Sequence, residues 1–271
     1  MNISSDQETD ITLQKKALLS RMVDGNVISI KEIGDGKNSR VYLLICKDSR
    51  RYIAKSYFSH HLDKRDRMST EFSSLKFLWN SGIQNIPKPI AIEKQLNFAL
   101  YSYIEGKKIL PQEVTNKDID YATQFLKKLD ELKTREGSDK LPNASEAYFS
   151  VKGIVDNIEQ RCNILVALPD DSGQYHALKK FLKMEFFPSF EKIINWCKLE
   201  LAKERIDYDL KIDKKFQTLS PSDFGFHNAL RQKDGQITFL DFEHFGWDDP
   251  SKMISDFLLH PNINLDVNLK N

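Results

Sequence analysis

Three polar side chains in the C-terminal part of the chain have the types and the spacing that phosphoryl transfer requires. Asp223 is followed five residues later by Asn228, and Asp241 comes directly after the apolar run at residues 237–240. A carboxylate can orient or deprotonate an attacking hydroxyl group, while an amide and a second carboxylate can hold magnesium against the phosphates. This order predicts that Asp223 is the catalytic base and that Asn228 and Asp241 are the metal ligands.

The letters Asp-Phe-Gly at Asp223 suggest a second interpretation, in which Asp223 itself is the magnesium ligand of a kinase. A base followed five residues later by an asparagine should then lie about 18 residues upstream of it. Asp207 and Asp209 lie in that region, but neither is followed by an asparagine at that spacing. We therefore interpret the tripeptide as a coincidence and Asp241 as the metal ligand.

Residues that could bind the rest of a nucleotide lie upstream, in a matching order. Gly34 and Gly36 fall in a strand–turn–strand pattern, where glycine lets backbone N–H groups approach phosphates closely. Lys55 follows on the next predicted strand, from which its ammonium could reach the phosphates, and Glu71 lies in the next helix, placed to pair with Lys55. A plain hairpin, a solvated lysine or an exposed carboxylate would each look the same alone, so the prediction depends on their occurring together.

The elements that must position these residues begin with a strand-rich segment. Residues 27–102 contain five runs of β-branched and aromatic residues separated by turn residues, with one helical pattern over residues 64–81. We predict a five-stranded antiparallel sheet with one helix, forming a nucleotide-binding lobe of residues 1–103.

The rest of the chain has mainly helical patterns. Helices are predicted from Asn116 and over residues 144–167 and 174–205, and a short hairpin turns at Asp234-Gly235. The fold class is therefore α+β, and residues 104–271 form a mostly helical catalytic and acceptor-binding lobe. We expect the site in the cleft between the lobes.

The composition is that of an ordinary globular protein, and it excludes several classes of function. The 271 residues carry a net charge of +1, so we expect no binding to nucleic acid or to an anionic membrane. No apolar run approaches the roughly 20 residues that cross a bilayer, and the N-terminus is polar. Three cysteines without paired spacing suit reduced thiols, which predicts a cytoplasmic protein.

The chain resembles the aminoglycoside phosphotransferase/choline kinase family over residues 28–257. That family typically has Asp-x4-Asn, an apolar strand, Asp-x-Glu, and then Gly-x-x-Asp-Pro and a further Asp. The matching residues here are Asp223 and Asn228, Asp241 and Glu243, Gly246, Asp249 and Pro250, and Asp256. The resemblance implies a protein-kinase-like bilobal fold and transfer of the γ-phosphate of ATP, with Mg²⁺, to a hydroxyl group of a small molecule.

The same resemblance implies how the nucleotide is held. Residues 34–39 are similar to a kinase glycine-rich loop in which Ser39 replaces the third glycine. The backbone of Ser102 and Ile104, in a segment similar to the family's hinge, should bind the edge of the adenine. The side chains that should sandwich its ring are Val41, Ile53 and Leu230.

Two departures from the family pattern are visible. The family usually has a histidine two residues before the catalytic aspartate, and Pro221 occupies that position here. Family members also usually continue with more helices after Asp256. We therefore expect a short version or an incomplete lobe, with residues 257–259 uncovered or covered by a partner chain, which makes a homo-oligomer a candidate.

The acceptor is expected to be a small hydroxyl compound, because Pro250 follows Asp241 by only nine positions, which leaves no room for the long segment that holds a peptide in protein kinases. The part of the chain from Lys108 onward contains 27 acidic and 23 basic residues, so its net charge is −4. Aminoglycosides and amino alcohols are cations, so this charge could favour them; sugars remain candidates. Residues that could contact the acceptor, or could instead be structural, are Asp248, Asp249, Asp256, Tyr148, Phe245 and Trp247.

Two other classes of function fit parts of the sequence. A pseudokinase that binds nucleotide without turnover and acts as a scaffold would explain Pro221. A metal-dependent hydrolase could use Asp223, His227, Asp241 and His244, but it leaves the glycine-rich loop and Lys55 without a role.

Overall fold

The computed structural model describes residues 17–36, 38–58, 65–169 and 173–270, which form two compact units. The first unit contains the described residues up to Glu146 and from Thr218 onward, and the second contains Ala147–Gln217. The lobe boundary predicted between residues 103 and 104 falls inside the first unit and stays a prediction.

A five-stranded antiparallel sheet forms the N-terminal part of the first unit, as predicted. Its strands are β1 (Val27–Asp35), β2 (Ser39–Cys46), β3 (Arg51–Tyr57), β4 (Pro89–Glu93) and β5 (Phe98–Ser102). They lie in the order β1-β2-β3-β5-β4, and each pair of neighbours is antiparallel. Short turns join the consecutive antiparallel strands β1–β2, β2–β3 and β4–β5. The longer connection from β3 to the edge strand β4 contains a helix.

The two faces of this sheet have different surroundings, because side chains alternate along each strand. One face forms a buried apolar cluster with the helical residues 17–22; its members are Leu19, Val23, Val27, Tyr42, Leu44, Cys46, Ala54, Phe98 and Leu100. The opposite face carries Lys55 on β3 and, directly across from it on β2, Val41. Two candidate nucleotide-binding residues, Val41 and Lys55, therefore lie on the face opposite the apolar cluster, which we call the free face of the sheet.

Helix α1 (Arg67–Asn80) follows β3 and carries Glu71 in its second turn. The Asp66 side chain caps the helix by accepting a hydrogen bond from the Ser69 N–H at 3.0 Å. Residue 64, where the sequence predicts the helix to begin, lies outside the described residues, and residues 65 and 66 are not helical.

The rest of the first unit consists of short strands and two further helices. These elements are β6 (Lys107–Lys108), α2 (Asn116–Glu131), β7 (Thr218–Ser220), β8 (Ala229–Arg231), β9 (Ile237–Phe239), β10 (Gly246–Asp248) and α6 (Pro250–Leu259). Strands β6, β8 and β9 form one small sheet, and β7 pairs with β10. The β8–β9 hairpin is the one predicted at Asp234-Gly235, whereas β6 and β10 are additional.

An aromatic core holds these short strands together. Phe125 on α2 lies 5.6 Å from Phe224, 4.6 Å from Phe239 and 6.3 Å from Phe242, measured between ring centroids. Phe257 on α6 adds a further ring, 5.3 Å from Phe224. The expectation that residues 257–259 are uncovered is therefore wrong for Phe257, whose side chain is buried in this core, whereas Leu259 is 70% exposed.

The second unit is helical, as predicted. It contains α3 (Val151–Val166), α4 (Gly173–Phe181), a π-helical turn (Leu182–Phe186) and α5 (Phe187–Lys203). The first helix begins at residue 151 rather than 144, because the Ser150 side chain caps it by accepting from the Gly153 N–H. Residues 208–212 return to its start, where the Ile212 N–H donates to the Phe149 carbonyl.

Among the described residues, every helix is too short or too polar to cross a lipid bilayer.

Candidate active site

Lys55 is the centre of a buried ion cluster on the free face of the sheet. Its Nζ lies 2.7 Å from Glu71 Oε2, 2.7 Å from Asp241 Oδ1 and 3.4 Å from Glu243 Oε2. Burial alone would lower the pKa of Lys55, but the attraction of these three carboxylates outweighs it and holds the pKa well above its ordinary value. The lysine therefore stays charged, as a phosphate ligand must.

Glu71 connects three elements to this lysine. Besides Lys55 on β3, it accepts a hydrogen bond from the Tyr57 hydroxyl at 2.6 Å and one from the Phe242 N–H at 3.4 Å. Its side chain is only 5% exposed, so a carboxylate here needs these partners to offset its loss of solvation. The predicted pairing of Lys55 with Glu71 is present in the structure.

The segments that carry Asp223 and Asp241 are anchored on the same core. The residue after each aspartate is a phenylalanine, and both Phe224 and Phe242 pack against Phe125 of α2. The letters Asp-Phe-Gly at Asp223 thus have a structural explanation, because Phe224 fills the core while the aspartate beside it stays 42% exposed.

Asn228 is brought next to Asp241 by the β8–β9 hairpin. Ala229 pairs with Phe239, and beyond that pair the Leu240 N–H donates to the Asn228 carbonyl at 2.8 Å. Asp241 then turns out of the strand with a φ of 64°, a left-handed conformation that is uncommon for residues other than glycine. Strained backbone of this kind often occurs where side chains are held for function.

Asp223 is held by hydrogen bonds to both of its carboxylate oxygens. His227 Nε2 and His260 Nε2 each lie 3.1 Å from Oδ1, and Asn228 Nδ2 donates to Oδ2 at 3.2 Å. The hydrogen bond with His227 is the main cause that lowers the pKa of Asp223 to about 2, although partial burial opposes it. Asp223 is therefore a carboxylate at neutral pH, suited to orient a hydroxyl group.

His260 is the residue at this site that sequence reasoning missed. It follows α6 and is 37 residues away from Asp223 in sequence, so no local spacing connects the two. The only sequence signal was indirect, since Pro221 occupies the position where the related family usually has a supporting histidine.

The predicted glycine-rich loop is a tight connection between β1 and β2. Gly34 pairs with Val41, and the Gly36 N–H donates to the Ser39 carbonyl at 3.1 Å. A side chain at Gly36 would lie 3.3 Å from that carbonyl, a close contact that glycine avoids. The Asn38 side chain connects this loop to the residues that follow β9, because it donates to Glu243 Oε1 at 2.7 Å.

The predicted adenine-binding residues lie on two inner strands of the sheet and in the segment after β5. Ile53 and Val41 are half-buried on β3 and β2, and Ile104 lies in residues 103–106, between β5 and β6. The Ser102 N–H is already used, because it donates to the Lys88 carbonyl at 2.9 Å, so only the carbonyl of Ser102 could serve an adenine.

Leu230 lies against this segment at Gly106. A side chain added at Gly106 would meet Leu230 Cβ at 2.9 Å and the Arg231 carbonyl at 3.0 Å, so only glycine allows this approach. The structure thereby places Leu230 beside the predicted hinge, on β8.

The residues considered for acceptor binding are mostly structural. Phe245 and Trp247 are 0% and 4% exposed, so they belong to the core rather than to an acceptor surface. Asp249 caps α6 by accepting from the Ser251 N–H at 2.7 Å, which is a structural role. Lys252 pairs with both Asp248 and Asp256, which reduces the negative charge that these two could present to a cation. Tyr148, in the second unit, accepts a hydrogen bond from Asn157.

The four residues of the hydrolase alternative do not form one cluster among the described residues. His227 contacts Asp223, but His244 contacts the Ser145 hydroxyl at 3.0 Å and Glu243 at 3.4 Å. The possible metal ligands fall instead into two groups, one around Asp223 and one around Asp241.

The donor set around Asp241 fits a hard divalent cation. Ligand atoms of Glu71, Asp241 and Glu243 lie within 4.8 Å of one another, and all are carboxylate oxygens. The amide nitrogen of Asn228 is used in bonds to Asp223, so its amide oxygen remains as an acceptor. Carboxylate and amide oxygens are the protein ligands that Mg²⁺ prefers.

Comparison with known proteins identifies a family for this chain. The model of the phosphotransferase enzyme family (APH) matches residues 29–252. By sequence, none of the curated proteins matches the chain.

Several solved structures share the fold. A spectinomycin phosphotransferase, APH(9)-Ia, in complex with ADP and spectinomycin has a TM-score of 0.64 at 18% identity, covering 89% of this chain and 71% of its own. Choline kinase LicA from Streptococcus pneumoniae has a TM-score of 0.60 at 16% identity, covering 98% and 78%. A Plasmodium vivax ethanolamine kinase has a TM-score of 0.57 at 16% identity, covering 90% and 63%. At these identities the likeness establishes a shared α+β, kinase-like fold.

Proposed function

This chain belongs to the phosphotransferase enzyme family, and from that premise we propose that it transfers the γ-phosphate of ATP to a hydroxyl group of a small molecule. The observation that supports this best is the ion cluster of Lys55, where one charged lysine contacts both Glu71 and Asp241 at 2.7 Å. A lysine held by a helical glutamate beside a metal-binding aspartate is the arrangement that kinases use for the phosphates of ATP.

The nucleotide would lie on the free face of the sheet, under residues 34–39. Lys55 binds the α- and β-phosphates there, while Val41, Ile53 and Leu230 contact the adenine. Asp241 and Asn228 are the proposed ligands of Mg²⁺, with Glu243 beside them, and the metal when bound would neutralise charge on the phosphates. Glu71 keeps Lys55 in place.

Asp223 has the role of orienting the acceptor. Its carboxylate accepts a hydrogen bond from the acceptor hydroxyl and directs the oxygen in line with the γ-phosphorus. A pKa of about 2 makes it a weak base, so its main contribution is to position the hydroxyl and to receive the proton as the bond to phosphorus forms. A loose phosphoryl-transfer transition state requires little base strength.

The acceptor belongs to the class of small hydroxyl compounds. Structures with the same fold include a spectinomycin phosphotransferase and choline and ethanolamine kinases, so aminoglycosides, amino alcohols and sugars are the compounds to screen. A cytoplasmic location and a homo-oligomer stay predictions.

A thermal-shift titration with Mg·ATP tests the nucleotide site, run with wild type and Asp241→Ala. Nucleotide at about 100 times its dissociation constant should stabilise the fold by roughly 2.7 kcal/mol. We expect a magnesium-dependent shift in wild type and its loss in Asp241→Ala. Absence of a shift at millimolar nucleotide would contradict the proposal.

An acceptor screen then separates an active kinase from a pseudokinase scaffold. ADP release is measured with Mg·ATP and each class of acceptor in turn. Acceptor-dependent ADP release supports the kinase, whereas nucleotide binding without turnover on any of the compounds, or on water, favours the scaffold that Pro221 suggested.

A further inference from the structure

Two histidines share one oxygen of Asp223. His227 Nε2 and His260 Nε2 each lie 3.1 Å from Asp223 Oδ1, and the two imidazole rings are stacked with their centroids 3.9 Å apart at an angle of 12°. His227 comes from the same loop as the aspartate, whereas His260 follows α6. Both rings are largely buried, with side chains 14% and 17% exposed.

The second nitrogen of each ring determines which nitrogen carries the proton. His260 Nδ1 accepts a hydrogen bond from the Asn262 N–H at 3.3 Å, so the proton of a neutral His260 is on Nε2. His227 Nδ1 is buried without a partner among the described residues, next to Gly225. A proton there would be an unpaired buried donor, and the lone pair left on Nε2 would face the carboxylate oxygen of Asp223, so this ring too carries its proton on Nε2.

These tautomers make both histidines hydrogen-bond donors to Asp223 rather than metal ligands. A metal on Nε2 would move the proton of each ring to Nδ1, where His260 would face the Asn262 N–H and His227 would have no acceptor. Burial also lowers the pKa of His260, which favours its neutral form.

Together the donors restrict the carboxylate of Asp223 to one orientation. The two histidines occupy Oδ1, and Asn228 Nδ2 donates to Oδ2 and to the Asp223 backbone carbonyl. The preceding residue, Ser222, has a φ of 66°, a left-handed conformation that is unfavourable for a serine. Contacts of the surrounding side chains must therefore stabilise this loop. The aspartate side chain is still 42% exposed and accessible to a hydroxyl compound.

We propose that His260, stacked on His227, is a positioning residue for the proposed catalytic Asp223. In this chain Pro221 cannot donate a hydrogen bond, and support for the aspartate comes instead from a residue beyond α6. The proposal rests on the proposed function, since it assigns the histidines to the same phosphoryl-transfer site.

Two substitutions separate the hydrogen bond from the ring. His260→Phe keeps a ring to stack on His227 but has no N–H, whereas His260→Gln loses the ring but can place an amide N–H near the position of Nε2. Turnover is measured as ADP release from Mg·ATP, with water as the acceptor and with any acceptor found in the screen. The exposed His176→Phe is the matched control for the change of side chain.

We expect His260→Phe to lower kcat by roughly ten- to a hundredfold, because a misplaced catalytic group loses alignment with the reacting atoms. The KM for Mg·ATP and its thermal shift should be unchanged, His260→Gln should recover part of the lost kcat, and His176→Phe should match wild type. Equal kcat in His260→Phe and wild type overturns the proposal. Equal losses in the Phe and Gln variants also overturn it, since the ring rather than the N–H would then matter.

A readout independent of activity is the tautomer of each ring, measured by long-range ¹H–¹⁵N NMR at neutral pH and assigned with the variants. We expect a protonated Nε2 in both His227 and His260. An unprotonated Nε2 in His260 overturns the proposal whatever the turnover. A wild type that shows no Mg·ATP shift would instead count against the proposed function, while the tautomers would still decide whether the hydrogen bonds exist.

Discussion

Asp248 is a buried carboxylate whose ionisation should make the fold less stable near neutral pH. It ends β10, its side chain is fully buried, and burial raises its pKa from 3.8 to about 6. Lys252, with Nζ 3.3 Å from Asp248 Oδ2, opposes this rise only in part. A difference of about 2 pKa units between the folded and unfolded states corresponds to roughly 3 kcal/mol.

The direction of the effect follows from which state loses its proton first. Below about pH 4 both states are protonated at Asp248, and its contribution to folding is complete. As the pH rises to about 6, the unfolded state loses the proton before the folded state, so the free energy of unfolding decreases. Above about pH 7 both states are ionised, and the loss of roughly 3 kcal/mol is complete.

Asp248→Asn removes this titration and keeps an oxygen that can accept from the Asp249 N–H. Lys252 still has Asp256 as a partner. In urea unfolding at pH values from 4 to 8, the stability of the variant relative to wild type should increase by up to roughly 3 kcal/mol between pH 4 and pH 7. The exposed Asp120→Asn controls for the same chemical change and should follow the wild-type curve.

Parallel curves for wild type and Asp248→Asn across this range would refute the reasoning. Such a result would mean that Lys252 compensates the burial of Asp248 fully and that its pKa lies near the ordinary value.

Three other substitutions test different parts of the site. Asp223→Asn should keep the Mg·ATP thermal shift and lower kcat by about a hundredfold or more, and wild-type turnover would remove Asp223 from its proposed role. Glu71→Ala removes the buried acceptor that the Lys55 ammonium and the Tyr57 hydroxyl share, while Asp241 and Tyr101 remain as their partners. Urea unfolding should therefore show a loss of roughly 1–3 kcal/mol, and unchanged stability would contradict the buried pair. Gly246→Ala would place Cβ against the Pro142 carbonyl and should lower the free energy of unfolding by roughly 1–3 kcal/mol in the same assay. The control Gly173→Ala, whose Cβ meets nothing within 4 Å, should leave it unchanged.

Much of the fold could be predicted because its signals are local. The five strands of the sheet follow the alternation of residues 27–102, and their turns follow local turn residues. The Lys55 pairing with Glu71 was predictable for a related reason, since a strand and the helix that follows it must pack together. Asn228 and Asp241 meet because a hairpin brings its two ends together, which the turn at Gly235 indicates.

The parts that sequence could not predict depend on contacts between distant segments. His260 reaches Asp223 only because α6 ends beside the loop, and no periodicity in residues 250–260 encodes that position. Phe245 and Trp247 could equally have bound an acceptor, but their segment crosses residues 142–145, and the Trp247 N–H donates to the Pro142 carbonyl. The same crossing keeps Ala144 and Ser145 out of the predicted helix, because their N–H groups donate to the Trp247 and His244 carbonyls.

The charge balance of the cluster is the reason why we expect magnesium to accompany the proposed nucleotide. Glu71, Asp241 and Glu243 contribute three negative charges within hydrogen-bonding or ion-pair distance of Lys55, and Arg67 adds one further positive charge 3.5 Å from Glu243. The cluster therefore carries a net negative charge, and in a partly buried site this would repel the phosphates of free ATP. A divalent cation reverses the sign of that interaction and gives Asp241 a second positive partner besides Lys55. The Asp241→Ala variant removes a proposed metal ligand and also one negative charge, so it should repel free ATP less than wild type does. Only the magnesium-dependent part of the thermal shift therefore measures the metal site.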